Sequence, residues 1–360
     1  MGERTIDDLR QKQALPLEVK ILLTRERVRQ WVNEYGEDGV YISFSGGKDS
    51  TVLLDLVRNR FGYKNIPAVF VDVPTQFPEL KAFARNFKDV EILKSEMAFN
   101  QVCEEYGFPL ISKEVSQAAY EARLYLENKE QNIKKYKWGA PTRILQFQGR
   151  LPHTEKGVPT GEYSTMYDKS RYAFLLEAPF KISHFCCLKM KKEPLHGFEE
   201  KEDRKPITGQ MAEESMLRKQ KWLQFGCNGF QMKRPISNPM SFWTENDVLQ
   251  YIAENKLPIC SVYGEIVEDF GDQLEGQMDL SDYGLAEPEK KYKTTGCKRT
   301  GSMLCGFGCH LEKPGEGRFE MLKQTHPKMY QALDLIKNNG VTFREAIEWT
   351  NEHGNLNIRI

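Results

Sequence analysis

The stretch Ser43–Ser50, SFSGGKDS, sets two glycines, a lysine, an aspartate and serines directly after the apolar run Val40, Tyr41, Ile42. Backbone N–H groups at such a turn can hold phosphate oxygens, lysine adds a full positive charge, and aspartate can hold hydrated magnesium beside phosphates. The spacing is not that of a Walker-type loop, G-x-x-x-x-G-K-[ST]. Counting back from Gly47-Lys48, Ile42 stands at the first glycine position, and Asp49 stands where Ser or Thr is required. What remains is a strand, a tight Ser45-Gly46-Gly47 turn and a helix expected to open near Ser50. The glycines let a ligand approach the main chain, and the helix that follows offers its positive end. A plain strand-to-helix turn would explain the glycines but not the grouping of serine, lysine, aspartate and serine.

A second set of chemically capable residues is thiol-based. Of eight cysteines, Cys103 and Cys260 stand alone and Cys227 sits in FGCNGF. The other five form two clusters, Cys186-Cys187 and Cys297, Cys305, Cys309. The start MGERTIDDLRQ has no apolar signal region and no run is long enough to span a bilayer, so a cytoplasmic protein is expected, with no membrane partner. In that setting clustered cysteines point to a metal rather than to disulfides.

The elements that must position these residues follow from periodicity. LPLEVKILLTRERVRQWVNEYG has helical spacing and ends at Gly36. Val40–Phe44, IPAVFVDV and DVEILK are expected as strands, and FPELKAFARNF as a helix with proline near its first turn. Strands alternating with helices imply an α/β fold with a parallel sheet and helices on both faces. Ligands on such sheets bind beyond the carboxyl ends of the strands, where Ser45 and Asp72 fall. A charged helix is expected from Glu114 to about Lys134, then a surface excursion over 135–165. Cys186-Cys187 should lie at a helix start, KPITGQ should form a strand, and a helix should end at Gly226. Thr244 should cap another helix, the acidic stretch 264–289 should be a solvated loop, and two short helices should close the chain. The 360 residues suffice for one large domain or two ordinary ones, and 51 basic against 51 acidic residues argue for no global attraction to nucleic acid or membrane.

SFSGGKDS resembles the PP-loop of ATP pyrophosphatases, which cleave ATP between the α and β phosphates. With VFVDV and FPE, the Cys186-Cys187 pair, ITGQMAEESMLRKQKW, NPMSFWTENDVLQYI and the late cysteine loop in order, roughly residues 20 to 312 are similar to the phosphoadenylyl-sulfate (PAPS) reductase branch. The resemblance implies an adenine nucleotide alpha-hydrolase-like, Rossmann-like fold. It also implies nucleotide contacts from Ser45, Gly46, Gly47, Lys48, Asp49 and Ser50, with Asp72, Gly209, Glu214, Ser215 and Arg218 around them. Lys48 and Asp49 would be the catalytic pair. Met211 occupies the arginine position of the family's G-x-R-x-x-E-S form, and Arg218 or Lys219 could substitute.

Relatives with a CC pair and a later C-x-x-C hold a [4Fe-4S] cluster. Ser302 stands where a C-x-x-C ending at Cys305 would begin, so the ligands expected are Cys186, Cys187 and Cys305, with Cys297 or Cys309 completing four. Zinc, with His310 nearby, is the alternative. No cysteine follows Cys309, so the thiol that family reductases carry near the C-terminus is not at its expected place. The expected chemistry is therefore ATP cleavage with Mg2+ to adenylate an acceptor, with sulfur transfer aided by the cluster. The alternatives are thioredoxin-dependent PAPS or adenylyl-sulfate reduction, and a non-catalytic subunit of a nucleic-acid modification complex. A sulfur donor protein, thioredoxin, or nucleic acid as acceptor are the expected partners. The expected segments are 1–36, helical; 37–260, the nucleotide-binding domain; and 261–360, the acidic loop, cysteine loop and final helices.

Overall fold

Along β1 (Val40–Ser43) alternate side chains leave opposite faces of the strand, and Val40, Tyr41 and Ile42 are all fully buried. A strand buried on both faces belongs in the middle of a covered parallel sheet. The computed structural model describes residues 4–128, 136–270 and 290–360. The chain divides into two compact units, one of 1–72, 76–94 and 195–300, the other of 73–75, 95–194 and 301–360. The segments expected from the sequence follow the chain, whereas each unit gathers separate stretches of it. Residues 1–36 share a unit with the Ser45–Ser50 loop.

The first unit is built on a six-stranded sheet in the order β3-β2-β1-β4-β6-β5. Here β2 is Ala68–Asp72, β3 Val90–Lys94, β4 Lys205–Thr208, β5 Asn228–Gly229 and β6 Ile236–Ser237. All neighbours are parallel except β5 and β6. Its helices are α1 (Ile6–Gln13), α2 (Leu17–Tyr35), α3 (Lys48–Asp55), α4 (Pro78–Arg85), α5 (Glu193–Glu202), α6 (Met216–Phe225) and α7 (Glu245–Asn255). Trp31 of α2, Leu53 of α3 and Val248 of α7 join Val40, Ile42 and Phe70 in one core, while Tyr41 and Val69 meet Phe198 of α5 in another. The sheet is therefore covered by helices on both faces, as the sequence implied.

Two local devices fix α7. Thr244 caps it, its Oγ1 accepting from the Asp247 N–H at 3.2 Å while Asp247 accepts from the Thr244 N–H at 2.6 Å. Buried Lys20 of α2 donates to both oxygens of the same Asp247 at 2.7 Å. α2 stops at Gly36, whose φ of 76° is a glycine conformation.

In the second unit Leu110–Ile111 pairs in parallel with Gly306–Phe307. Phe108 stacks on Phe343 with ring centroids 4.9 Å apart. The buried Asn338 amide donates to the Cys103 and Glu104 carbonyls and accepts from the Lys181 N–H, so its burial leaves no orphan group. The helix expected from Glu114 is Lys113–Glu127, and 129–135 lie outside the described residues. The expected surface excursion at 135–165 holds a helix, Thr142–Phe147, and a hairpin, Pro152–Glu155 with Val158–Tyr163. Three helices rather than two close the chain, because Pro327 opens an additional one, Pro327–Leu335, between Arg318–Thr325 and Phe343–Gly354. In the first unit, Ile266–Glu268 of the expected acidic loop pairs with Tyr292–Thr294, and 271–289 lie outside the described residues. No helix among the described residues is long and apolar enough to cross a membrane.

Candidate nucleotide site and cysteine cluster

The order β3-β2-β1 reverses at β1, whose other neighbour is β4, so a crevice is expected beyond the carboxyl ends of these two strands. Ser45 follows β1 and Gly209 follows β4. Helix α3 opens at Lys48, two residues before the expected Ser50, with Gly47 as its N-cap and no side-chain cap. Lys48 and Asp49 are therefore first-turn residues at the positive end of the helix.

Hydroxyls hold the turn in shape. Ser50 Oγ donates to the Gly47 carbonyl at 2.9 Å and accepts from the Ser45 N–H at 3.1 Å, and the two serine hydroxyls lie 3.0 Å apart. Gly46 takes a φ of 73°, and a Cβ there would sit 3.3 Å from Leu80 of α4. A Cβ on Gly209 would sit 2.9 Å from the Asp49 carbonyl oxygen, so glycine lets β4's exit close against the helix start.

Charge is concentrated at the first turn. Lys48 is almost wholly buried, with Nζ 3.1 Å from Glu245 of α7, 3.8 Å from Asp49 Oδ1 and donating to the Lys298 carbonyl at 3.2 Å. Asp49 Oδ1 is buried and accepts no hydrogen bond. Burial pushes the Asp49 carboxyl above its ordinary range, Lys48 opposes this, and Glu245 adds to it. Arg218 of α6 also favours the ionised Asp49, while burial lowers Arg218's own pKa.

The remaining sequence candidates divide. Ser215 caps α6, accepting from the Arg218 N–H at 3.3 Å, and Glu214 accepts from the Met211 N–H at 2.9 Å and pairs with the Arg218 guanidinium. These two shape the approach of α6 and carry Arg218. Asp72 is engaged by Lys81 at 2.7 Å and Arg85 at 3.5 Å, both on α4. Met211 is buried in the core, where an arginine would be costly.

Sequence reasoning missed the segment that closes the loop. Tyr263, buried against Leu80 and Cys260, accepts from the Lys48 N–H at 3.2 Å and lies 2.7 Å from Thr300 Oγ1. Gln76 donates to the Ser45 carbonyl at 3.2 Å. Tyr263, Thr300, Glu245 and Gln76 carry no local pattern that names them.

In the second unit Cys186 and Cys187 are the first residues of a helix that continues as a π-turn, Leu188–Lys192, so the expected helix start is present. Interaction between the two neighbouring thiols lowers the Cys187 pKa against the effect of its burial, with Lys191, Lys113 and Lys192 assisting, and raises that of Cys186. Cys305 and Cys309 lie in the same unit. Cys309 Sγ donates to the Cys305 carbonyl at 3.3 Å, and burial pushes its thiol up to about 12. Ser302 donates to Thr75 Oγ1 at 2.7 Å. Cys297 belongs to the first unit, its N–H bonded to the Val262 carbonyl. Cys186, Cys187, Cys305 and Cys309 are of the donor type that iron–sulfur or zinc sites use. Among the described residues, however, no three His, Cys, Asp or Glu side chains converge as a ready ligand set.

The phosphoadenosine phosphosulfate reductase domain matches residues 39–150 and 152–302. No curated protein matches the sequence. Among solved structures, the chain is similar to the phosphoadenylyl-sulfate (PAPS) reductase from Candida auris in its phosphate complex, at 13% identity. That likeness covers 72% of this chain and 91% of the other at a TM-score of 0.35, too loose to carry any argument. The domain match spans the SFSGGKDS turn, β1 to β6 and the α7 helix, and it is on this ground that the chain belongs to the phosphoadenosine phosphosulfate reductase family.

Proposed function

We propose that the Ser45–Ser50 loop binds magnesium ATP and that the enzyme cleaves it between the α and β phosphates to adenylate an acceptor. The observation that carries this reading is the pairing of Lys48 with Asp49, whose buried Oδ1 accepts no hydrogen bond, at the uncapped start of α3. Such an orphan carboxylate oxygen beside a lysine would hold hydrated magnesium, whose charge would offset that of the phosphates. Magnesium on Asp49 would neutralise the leaving pyrophosphate.

An acceptor oxygen attacks the α-phosphorus, the bond to the bridging oxygen breaks, and pyrophosphate leaves with the electron pair. Lys48 and the turn's N–H groups stabilise charge that grows on the phosphate oxygens. Phosphate oxygens replace the Lys298 carbonyl and the Tyr263 hydroxyl as partners of Lys48. The carbon that bears the adenylated oxygen is then open to a sulfur or nitrogen nucleophile, and AMP leaves with that oxygen and the electron pair of the broken C–O bond. Cys186, Cys187, Cys305 and Cys309 are the thiols proposed to hold an iron–sulfur cluster, which would carry sulfide; adenylation needs no step there.

The family's name favours a second reading, reduction of a sulfonucleotide, for which thioredoxin would be the reductant. Met211 speaks against it, because the family arginine that would meet the anion is replaced by a buried apolar side chain. Calorimetric titration with magnesium ATP tests the first reading. Lys48→Ala and Asp49→Ala should each weaken binding tenfold or more with an unchanged circular dichroism spectrum, and binding unaltered in both would contradict it.

A further inference from the structure

The first unit contains a cavity of about 880 Å3 that none of the Ser45–Ser50 residues lines. Its volume lies within the range of small-molecule sites, roughly 300–1,000 Å3. Three cations, Arg4, Lys12 and Arg27, line it, and all three are partly recessed rather than splayed into solvent. Among the described lining residues Asp8 is the one acid, and its carboxylate is engaged by the Thr5 N–H at 2.7 Å and the Thr5 hydroxyl at 2.8 Å in capping α1. Those bonds favour the ionised carboxylate, which Lys12 also stabilises, so three cations face one acid and the wall keeps an excess of positive charge.

A further feature says more than "anion". Phe230 is 39% exposed in the same lining, and its ring is braced by Trp31 at 5.1 Å and Tyr35 at 6.2 Å between centroids. A braced, exposed ring beside recessed cations is the pairing that takes a flat base and its phosphate together. Arg4 is held in place by the Gln224 carbonyl at 3.3 Å and lies against Gly226, where a Cβ would come within 2.9 Å of its guanidinium. Burial raises the Cys227 thiol while Arg27 and Lys12 oppose it, so both cations project their field onto the cavity floor.

We propose that this cavity is a second ligand site for a nucleotide unit, with Arg4, Lys12 and Arg27 on the phosphate and Phe230 on the base. The unit comes from a free nucleotide or from a single strand of nucleic acid, which present the same chemistry. The site does not depend on ATP chemistry at Lys48.

The test is binding to the full-length protein of labelled AMP by equilibrium dialysis and of short labelled oligothymidylate and oligouridylate by fluorescence anisotropy, across a salt series. At least one probe binds, and Arg27→Gln and Lys12→Gln each weaken it about fivefold and reduce the salt slope for the oligonucleotides by about one. Phe230→Ala weakens binding at an unchanged salt slope, and Lys48→Ala leaves it unaltered. AMP binding identifies the free nucleotide as the source, and oligonucleotide binding without AMP identifies the strand. Failure of every probe, or undiminished binding in both Arg27→Gln and Lys12→Gln, overturns the proposal. Loss of binding in Lys48→Ala would assign the signal to the other loop and overturn it equally.

Discussion

The Lys48 N–H donates to the Tyr263 hydroxyl at 3.2 Å, so the first turn of α3 is closed by a side chain 215 residues further along. The same hydroxyl is held by Thr300 at 2.7 Å. A nucleotide that takes this N–H must displace the tyrosine. Tyr263→Phe removes the competing acceptor and should tighten ATP binding about three- to tenfold, the scale of one net hydrogen bond of roughly 0.5–1.5 kcal/mol. Calorimetric titration measures it, and unchanged or weaker binding would show that the tyrosine does not compete.

Asp49 links function to stability. Burial raises its folded pKa, so between the unfolded value of about 3.9 and the raised one the folded state holds a proton that the unfolded state has lost. Stability therefore falls as pH rises through that window, and the deficit persists at neutral pH. Asp49→Asn should raise the melting temperature at pH 7 by roughly 1–3 °C and flatten its acid-side pH dependence, while abolishing magnesium-dependent ATP binding. A lower melting temperature at every pH would mean that the carboxylate is structural.

Much of the first unit is legible in the sequence because its signals are local. The apolar run before SGGKDS, Gly36 as a helix stop and Thr244 with Asp247 as a capping box each act within a few residues. The partners of Lys48 are not legible, because Glu245, Tyr263 and Lys298 reach it across the fold. Asp72 falls at a strand end as expected, while the Lys81 and Arg85 that α4 brings to it are foretold by no periodicity. The start of α3 at Lys48 is not legible either, because a lysine and an aspartate in a first turn look the same as loop residues in composition.

Lys20 and Asp247 form a buried pair between α2 and α7, the helix that carries Glu245 towards Lys48. Lys20→Met leaves a buried carboxylate without its cation and should cost about 3–5 kcal/mol in urea unfolding. Lys20→Met with Asp247→Leu should cost less than Lys20→Met alone. A single variant within 1 kcal/mol of the parent would show that Asp247 is satisfied by its cap alone.

The cysteines of the second unit have a spectroscopic test. Protein prepared anaerobically should be brown, with broad absorption in the blue and bound iron, and Cys187→Ser and Cys305→Ser should each lose both. Colourless protein with stoichiometric zinc would assign the thiols to a structural metal instead.

The central claim is that this chain spends ATP rather than reducing a sulfonucleotide. Anaerobic protein is incubated with either ATP or phosphoadenylyl sulfate, with RNA, DNA or small-molecule acceptors, and with thioredoxin, while pyrophosphate and sulfite are assayed together. Pyrophosphate is expected from ATP, dependent on an acceptor and lost in Lys48→Ala, since a positioned acceptor supplies most of the advantage over water. Thioredoxin-dependent sulfite at steady turnover, with no pyrophosphate from ATP, would contradict it.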